Sequence, residues 1–129
     1  MSKPIHQEVT FKATPKRIYD AYTTATQHAE FTGGGATEID ASNGGAFSSH
    51  GGVIHGRNIE LVPNRLIVQA WRVKNWPEGV YSILKMELVE QGDKTKIVFD
   101  QDGVPEDQVP HIDKGWHDRY WEPLQKFLG

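Results

Sequence analysis

The feature that most constrains the fold is an amphipathic pattern over residues 105–128 at the C-terminal end of the chain. Six large apolar residues recur there at steps of three or four positions: Val109, Ile112, Trp116, Tyr120, Leu124 and Phe127. This spacing places them along one face of a helix. A stripe with tryptophan and tyrosine at its centre needs a large concave apolar partner. We expect that partner to be a curved β-sheet that holds the helix.

The remainder of the chain is predicted to be mostly β-strand. Residues 5–11 alternate apolar and polar side chains, as a half-buried strand does. Thr14 and Pro15 are typical of a helix start, and two short helices follow, which end at the glycines 33–35. Six further strands are separated by turn signals: residues 36–41, 46–50, 53–62, 65–73, 80–90 and 94–100. The prediction is an α+β fold with a curved antiparallel sheet of about seven strands, two short helices and a long C-terminal helix.

Prolines predict two details of the last helix. Pro105 and Pro110 indicate a short turn before the main helix, because a proline beyond the first turn removes a hydrogen bond. Pro123 lies within the apolar stripe itself. We therefore predict a bend near residues 119–123.

Composition limits the classes of protein that the chain can belong to. The 129 residues contain no linker or repeat, which predicts a single domain over residues 1–129. No apolar run reaches the roughly 18 residues that span a bilayer, and Met1–Pro4 do not resemble a signal peptide, so we expect a cytoplasmic protein without membrane insertion. The net charge is -3 and basic residues are scattered, which argues against nucleic-acid binding.

Known motifs for metal, phosphate or nucleophilic chemistry do not occur in the sequence. Two histidine pairs lack the spacing of a zinc site: His50 with His55, and His111 with His117. The glycines 33–35 match neither phosphate-binding pattern, and residues 48–50 place serine beside histidine without a GxSxG elbow. We therefore expect no metal, no cofactor and no catalytic residue that the sequence alone can identify.

The aromatic residues are the most informative set: Phe31, Trp71, Trp76, Tyr81, Trp116, Tyr120 and Trp121. As core residues, each large side chain would contribute about 2–3 kcal/mol when fully buried. The alternative is that several of them line an incompletely filled cavity between the sheet and the helix, since tryptophan and tyrosine combine apolar area with one polar atom. The sequence is compatible with both interpretations.

Three motifs resemble those of a known family: WRVKNWPEG at residues 71–79, GVP at 103–105 and GWHDRYW at 115–121. They resemble the activator of heat shock protein 90 ATPase homologue family, within the START-like, helix-grip (SRPBCC) superfamily that includes polyketide cyclases and Bet v-type allergens. The resemblance covers almost the whole chain and implies a helix-grip fold that encloses a cavity. In eukaryotic co-chaperones this fold is the C-terminal domain, which contacts the chaperone and helps its ATPase cycle. The separate N-terminal domain of those co-chaperones has no counterpart in the match.

Three functions follow from these observations. The first is binding of a hydrophobic small molecule in the cavity, with these expected lining residues: Phe31, His55, Trp71, Tyr81, Trp116 and Tyr120. The second is interaction with heat shock protein 90, with Trp76, Pro77 and Glu78 as the expected partner-binding residues. Exposure of Trp76 and its loop would favour this function. The third, from fold analogy alone, is a cyclase- or hydrolase-like enzyme. An edge strand at 36–41 would allow pairing across a dimer, but the sequence leaves the oligomeric state open.

Overall fold

The computed structural model describes residues 4–128. Met1–Lys3, which belong to the N-terminal stretch that does not resemble a signal peptide, lie outside the described residues. The strands are β1 (Ile5–Phe11), β2 (Glu38–Ile39), β3 (Ala46–Ser49), β4 (Ile54–Val62), β5 (Leu66–Val73), β6 (Ser82–Gln91) and β7 (Lys94–Asp102). They form one antiparallel sheet in the order β1-β7-β6-β5-β4-β3-β2. The predicted meander is confirmed, and β1 joins its edge beside β7.

Alternation along the strands gives the sheet one buried face and one exposed face. In β6, Leu84, Met86 and Leu88 are buried, whereas Lys85 and Glu87 between them are exposed. This is the period of two expected when only one face of a sheet is covered. We call the covered face the inner face and the other the outer face.

Strand β2 is much shorter than the sequence predicts. The expected strand at 36–41 is reduced to Glu38–Ile39, because the chain already turns at Asp40. The Asp40 carbonyl accepts from the Ser42 N–H at 2.8 Å, and the Ser42 carbonyl accepts from the Gly45 N–H at 2.9 Å. A two-residue edge offers little backbone for the dimer pairing considered above.

Two short helices follow β1, as predicted: α1 (Pro15–Thr23) and α2 (Ala25–Thr32). The Thr14 side chain caps α1 by accepting from the Arg17 N–H at 3.2 Å, and proline follows at the first helical position. Helix α2 ends at Gly33, whose φ of 63° is the left-handed conformation that glycine adopts without strain.

The last helix is irregular. A short 3₁₀ turn, Glu106–Gln108, precedes α3 (Val109–Trp116), which confirms the predicted short turn before the main helix. A π-helical turn, His117–Trp121, then leads into α4 (Glu122–Leu128). Pro123 has no N–H to donate to the preceding turn, and the change in hydrogen bonding occurs directly before it. We call residues 109–128 the C-terminal helix.

The core lies between the inner face and the C-terminal helix. The helix buries Ile112, Trp116, Tyr120 and Leu124, four members of the predicted stripe, and also Trp121. Val109 and Phe127, at the ends of the stripe, are partly buried against the same core. Within residues 4–128, no helix has both the length and the apolar character needed to cross a membrane.

Candidate functional site

Three glutamines on the inner face hold the helices in position. Each accepts a hydrogen bond from one aromatic side chain: Gln101 from Trp116 Nε1 at 2.8 Å, Gln7 from Trp121 Nε1 at 2.6 Å, and Gln69 from the Tyr22 hydroxyl at 3.0 Å. Their amide groups also donate, Gln101 to Ser82 Oγ and Gln7 to the backbone and carboxylate of Asp113. Buried polar groups that are satisfied in this way fix one arrangement of the core.

Where the ends of β4 and β5 face the C-terminal helix, the packing leaves an open cavity of about 100 Å³. Its wall is mainly apolar and includes Ile54, Val73 and Ile112 together with the rings of Trp71, Trp116 and Tyr120. Its remaining lining residues are Val53, His111, Gly115 and Arg119. We call this cavity the pocket.

The pocket contains only some of the residues predicted for it. Trp71, Trp116 and Tyr120 line it. Phe31 is buried beside it, with its ring 6.0 Å from that of Tyr120, but is not part of the lining.

The expectation that His55 and Tyr81 face the cavity is wrong. His55 lies opposite Arg72 in the register of β4 and β5, on the outer face. Tyr81 is 47% exposed, and its ring lies 5.6 Å from the Arg72 guanidinium carbon on that same face. The reason is strand alternation: Trp71 points inward, so its neighbour Arg72 and the residues beside Arg72 point outward.

The hydroxyl of Tyr120 joins two histidines. It lies 3.1 Å from His28 Nε2 and 3.2 Å from His50 Nε2, and His28 Nδ1 lies 2.8 Å from the Tyr22 carbonyl oxygen. Because a carbonyl only accepts, His28 Nδ1 carries the proton and its Nε2 accepts from Tyr120. Tyr120 has a single proton, so His50 Nε2 donates to the Tyr120 oxygen. We call these residues the His28–Tyr120–His50 chain.

Burial controls the protonation of this chain. Desolvation lowers the pKa of His28 to about 4 and outweighs its hydrogen bond to the Tyr22 carbonyl, so the ring is neutral at pH 7. Burial also lowers the pKa of His50, with a smaller contribution from the charge of Arg119, and raises the pKa of Tyr120 well above its usual range. These three groups therefore form a neutral hydrogen-bonded chain at neutral pH.

The backbone around His50 is built for this contact. His50 has a φ of 54°, which is uncommon for a residue other than glycine. A side chain at Gly34 would bring its Cβ within 2.0 Å of His50 Nδ1, so only glycine leaves room for the ring. The sequence predicts that the glycines 33–35 form a connector. In the structure, Gly34 also leaves the space in which the His50 ring reaches Tyr120.

Arg72 organises the loop after β5. Its guanidinium donates to the carbonyl oxygens of Trp76 at 2.9 Å, Pro77 at 3.0 Å, Val80 at 3.2 Å and Lys74 at 3.4 Å. This side chain is buried although it is charged, and the carbonyl oxygens take the place of water around it.

Trp76 is buried, although its exposure would favour an interaction with heat shock protein 90. Its side chain is only 5% exposed and meets Trp71 edge to face at 5.7 Å, because the loop folds back over the end of the sheet. Pro77 and Glu78, predicted as part of the same partner-binding loop, are exposed. Trp76 therefore anchors the loop from inside, while its two neighbours face the solvent.

Residues 4–128 contain no group of three or more histidine, aspartate or glutamate side chains arranged to hold a metal ion. His28, the most enclosed histidine, has both ring nitrogens engaged by Tyr22 and Tyr120.

A curved antiparallel sheet gripping a C-terminal helix, with two short helices after the first strand, defines the helix-grip, START-like class of fold. The sequence comparison is more specific. The chain belongs to the family described as Activator of Hsp90 ATPase homolog 1-like protein, whose family model matches residues 12–129. This confirms the family that the sequence motifs resemble.

Named relatives support the same family. The human Activator of 90 kDa heat shock protein ATPase homolog 1 is 30% identical over 120 residues, which cover 93% of this chain and 35% of that protein. The Dictyostelium discoideum homolog is 32% identical over 116 residues, 89% of this chain and 30% of that protein. This chain thus spans about a third of the length of these curated relatives.

Solved structures show the same fold. An HSP90 activator from Plasmodium falciparum superposes with a TM-score of 0.93 at 22% identity, over 98% of this chain and 96% of that chain. CalU16 from Micromonospora echinospora superposes with a TM-score of 0.83 at 20% identity, over 98% of this chain and 76% of that chain. At these identities the likeness concerns the fold alone.

Proposed function

We propose that this protein acts in the cytoplasm as a partner of an Hsp90-type chaperone and stimulates the ATPase of that chaperone. The observation that carries this proposal is the 30% identity, over 93% of the chain, to a human protein named as an activator of that ATPase. The match to the family model over residues 12–129 supports it as well.

We propose that the chaperone contacts the outer face at the loop held by Arg72. Pro77 and Glu78 are exposed at this loop, and two half-exposed residues lie next to it, Tyr81 directly before β6 and Ile83 on β6. Because the Arg72 guanidinium bonds four carbonyl oxygens of the segment, the loop presents one conformation and loses little entropy on binding. Exposed aromatic and aliphatic side chains beside polar ones are typical of protein contact surfaces.

The test is an ATPase assay with the purified Hsp90-type chaperone of the same organism. We expect the full chain to raise the rate, and Glu78→Lys to weaken both binding and stimulation because it reverses a charge within the proposed contact. Glu90→Lys is the matched control, since it makes the same charge change on an exposed residue at the opposite end of β6. The proposal is contradicted if a large excess of this protein neither binds the chaperone nor raises its ATPase rate.

The pocket supports a second candidate function, the binding of a small apolar molecule. Its open mouth and its wall of tryptophan, tyrosine and aliphatic side chains are the usual features of a ligand site. An NMR screen of small apolar compounds tests it through the backbone amide signals of Ile54, Val73 and Gly115. If no compound shifts these signals, the candidate function is refuted. Mass spectrometry of the bound compounds tests the enzymatic alternative, which predicts that a compound is chemically converted. A compound recovered unchanged would contradict that alternative.

A further inference from the structure

The helix side of the pocket carries a row of three residues at intervals of four: His111, Gly115 and Arg119. Such residues lie one above the other on a helix face. A Cβ built on Gly115 meets no atom within 4 Å, so the missing side chain leaves open space rather than close packing. Arg119 belongs to the π-helical turn, a helix irregularity that frequently occurs at functional sites.

The charges around the pocket favour an anion. None of the ten lining residues is acidic, and Arg119 is the lining residue with a permanent positive charge. Within residues 4–128, its guanidinium makes no hydrogen bond or ion pair. Of the carboxylates on the same helix, Asp113 accepts from Gln7 and Asp118 pairs with Lys114 at 3.2 Å, whereas Glu122, three residues after Arg119, is exposed.

The size and the wall of the pocket favour one aromatic ring. The volume of about 100 Å³ is smaller than, but of the same order as, the roughly 150 Å³ of a protein cavity known to bind benzene. Trp71, Trp116 and Tyr120 offer ring faces and edges to such a group. Larger drug-sized molecules need roughly 300 Å³ or more.

We propose that the pocket binds a small aryl carboxylate, with the ring in the space beside Gly115 and the carboxylate on the guanidinium of Arg119. The ring would pack against Trp71 and Trp116, and the carboxylate would stay at the mouth, where solvent reaches it. This inference rests on the second function proposed above, the binding of a small molecule, and it names the class of that molecule. It is independent of any contact with a chaperone.

The first experiment compares three probes of the same shape by calorimetry on the full 129-residue chain. The probes are 3-phenylpropionate, its neutral amide 3-phenylpropanamide, and the cation 3-phenylpropylammonium. We expect the carboxylate to bind about tenfold more tightly than the amide. A hydrogen bond between two charged groups strengthens binding by about that factor compared with a neutral partner. We expect the ammonium compound to bind most weakly, since Arg119 repels it.

Three variants locate the interaction. Arg119→Gln is expected to weaken 3-phenylpropionate about tenfold and to leave the amide unchanged. Lys126→Gln is the control, because it removes the same charge from the same helix outside the pocket lining. Gly115→Leu is expected to abolish binding of all three probes by filling the pocket, with circular dichroism and thermal unfolding to confirm that the variant is folded.

The outcomes separate this inference from the function on which it rests. Equal affinity for carboxylate and amide, insensitive to Arg119→Gln but lost in Gly115→Leu, would overturn the anionic class and keep a binding pocket. Binding of no probe would overturn both. The same ring and carboxylate occur at the end of a peptide with C-terminal phenylalanine. If acetyl-Gly-Phe binds more tightly than 3-phenylpropionate, a protein terminus is the source of this chemistry instead of a free small molecule.

Discussion

The two ends of the interface between the sheet and the C-terminal helix differ in whether the indole N–H groups of their tryptophans are hydrogen-bonded. At the closed end, which we define by Trp116, Trp121, Gln101 and Gln7, both indole N–H groups donate to a buried glutamine. The open end, defined by Trp71, Trp76 and the pocket, has two buried indole N–H groups without an acceptor in residues 4–128. The Trp116 ring joins the two ends, because it also lines the pocket.

This difference separates stability from binding within one core. A buried donor without an acceptor costs about 1–3 kcal/mol, so the open end is stabilised less than its aromatic content suggests. The closed end combines the same kind of side chain with satisfied hydrogen bonds and stacks Trp116 on Trp121 at 5.5 Å. We therefore expect loss of an indole hydrogen bond at the closed end to lower stability, and substitutions in the pocket wall at the open end to change ligand binding as well.

The largest effect is expected from acid, which acts on His28 beside the open end. Its folded pKa of about 4 lies below its unfolded value of 6.5, so the unfolded chain binds more protons between these values. The stability contribution is therefore complete above pH 6.5 and is lost as the pH falls toward 4. The loss amounts to about 3 kcal/mol by linkage.

Urea unfolding at several pH values measures this loss. The variant His28→Gln lacks the titrating ring. Its free energy of unfolding should therefore change less with pH between pH 4 and 6.5. His6 has the opposite sign, because Asp100 and Glu8 raise its pKa. Its contribution is present below pH 6.5 and disappears as the pH rises, outside the His28 window. An unchanged slope in His28→Gln would contradict the buried neutral histidine.

At the closed end, Gln101→Leu is expected to cost about 2 kcal/mol of unfolding free energy. It leaves Trp116 Nε1 without its acceptor and removes the donor to Ser82 Oγ, and both atoms are buried. Gln91→Leu, an exposed glutamine at the end of β6, is the control and should stay within about 0.5 kcal/mol of the original protein. Equal stability of the two variants would show that the closed end does not depend on this bond.

At the open end, Gly115→Ala is expected to stabilise the protein by up to about 1 kcal/mol, the smallest effect of the three. Alanine favours a helix more than glycine does, and its methyl group enters free space in the pocket. Chemical denaturation measures the gain. A destabilised Gly115→Ala would mean that the pocket wall is already in contact at this point, contrary to the structure.

The apolar pattern predicts the fold well because its main elements follow from local rules. The stripe from Val109 to Phe127 gives the helix and its buried face, and Thr14 gives the start of α1. The closed end was also readable in principle: Gln7 occupies an inward position between Ile5 and Val9, where a buried glutamine needs a partner. Sequence reasoning misses this buried position because glutamine is polar, and an isolated polar side chain in a strand is usually solvated.

The open end was harder to predict from the sequence. Tyr81 is aromatic and therefore a natural candidate for a cavity wall. However, the alternation that points Leu84 and Met86 of β6 inward places Tyr81 on the outer face. Trp76 depends on how the Arg72 loop folds back, which is a long-range contact. The volume of the pocket depends on the distance between Gly115 and the sheet, which no local pattern specifies.

The most direct test of the comparison is the NMR spectrum of the four indole N–H groups, assigned with single Trp→Phe variants. We predict that Trp116 and Trp121 show the small temperature coefficients of hydrogen-bonded protons, and that Trp71 and Trp76 show larger ones. We further predict that 3-phenylpropionate shifts the Trp71 signal and leaves the Trp121 signal unchanged. Similar temperature coefficients for all four indole signals would contradict the division of this core into a closed and an open end. A ligand-induced shift confined to Trp121 would contradict it as well.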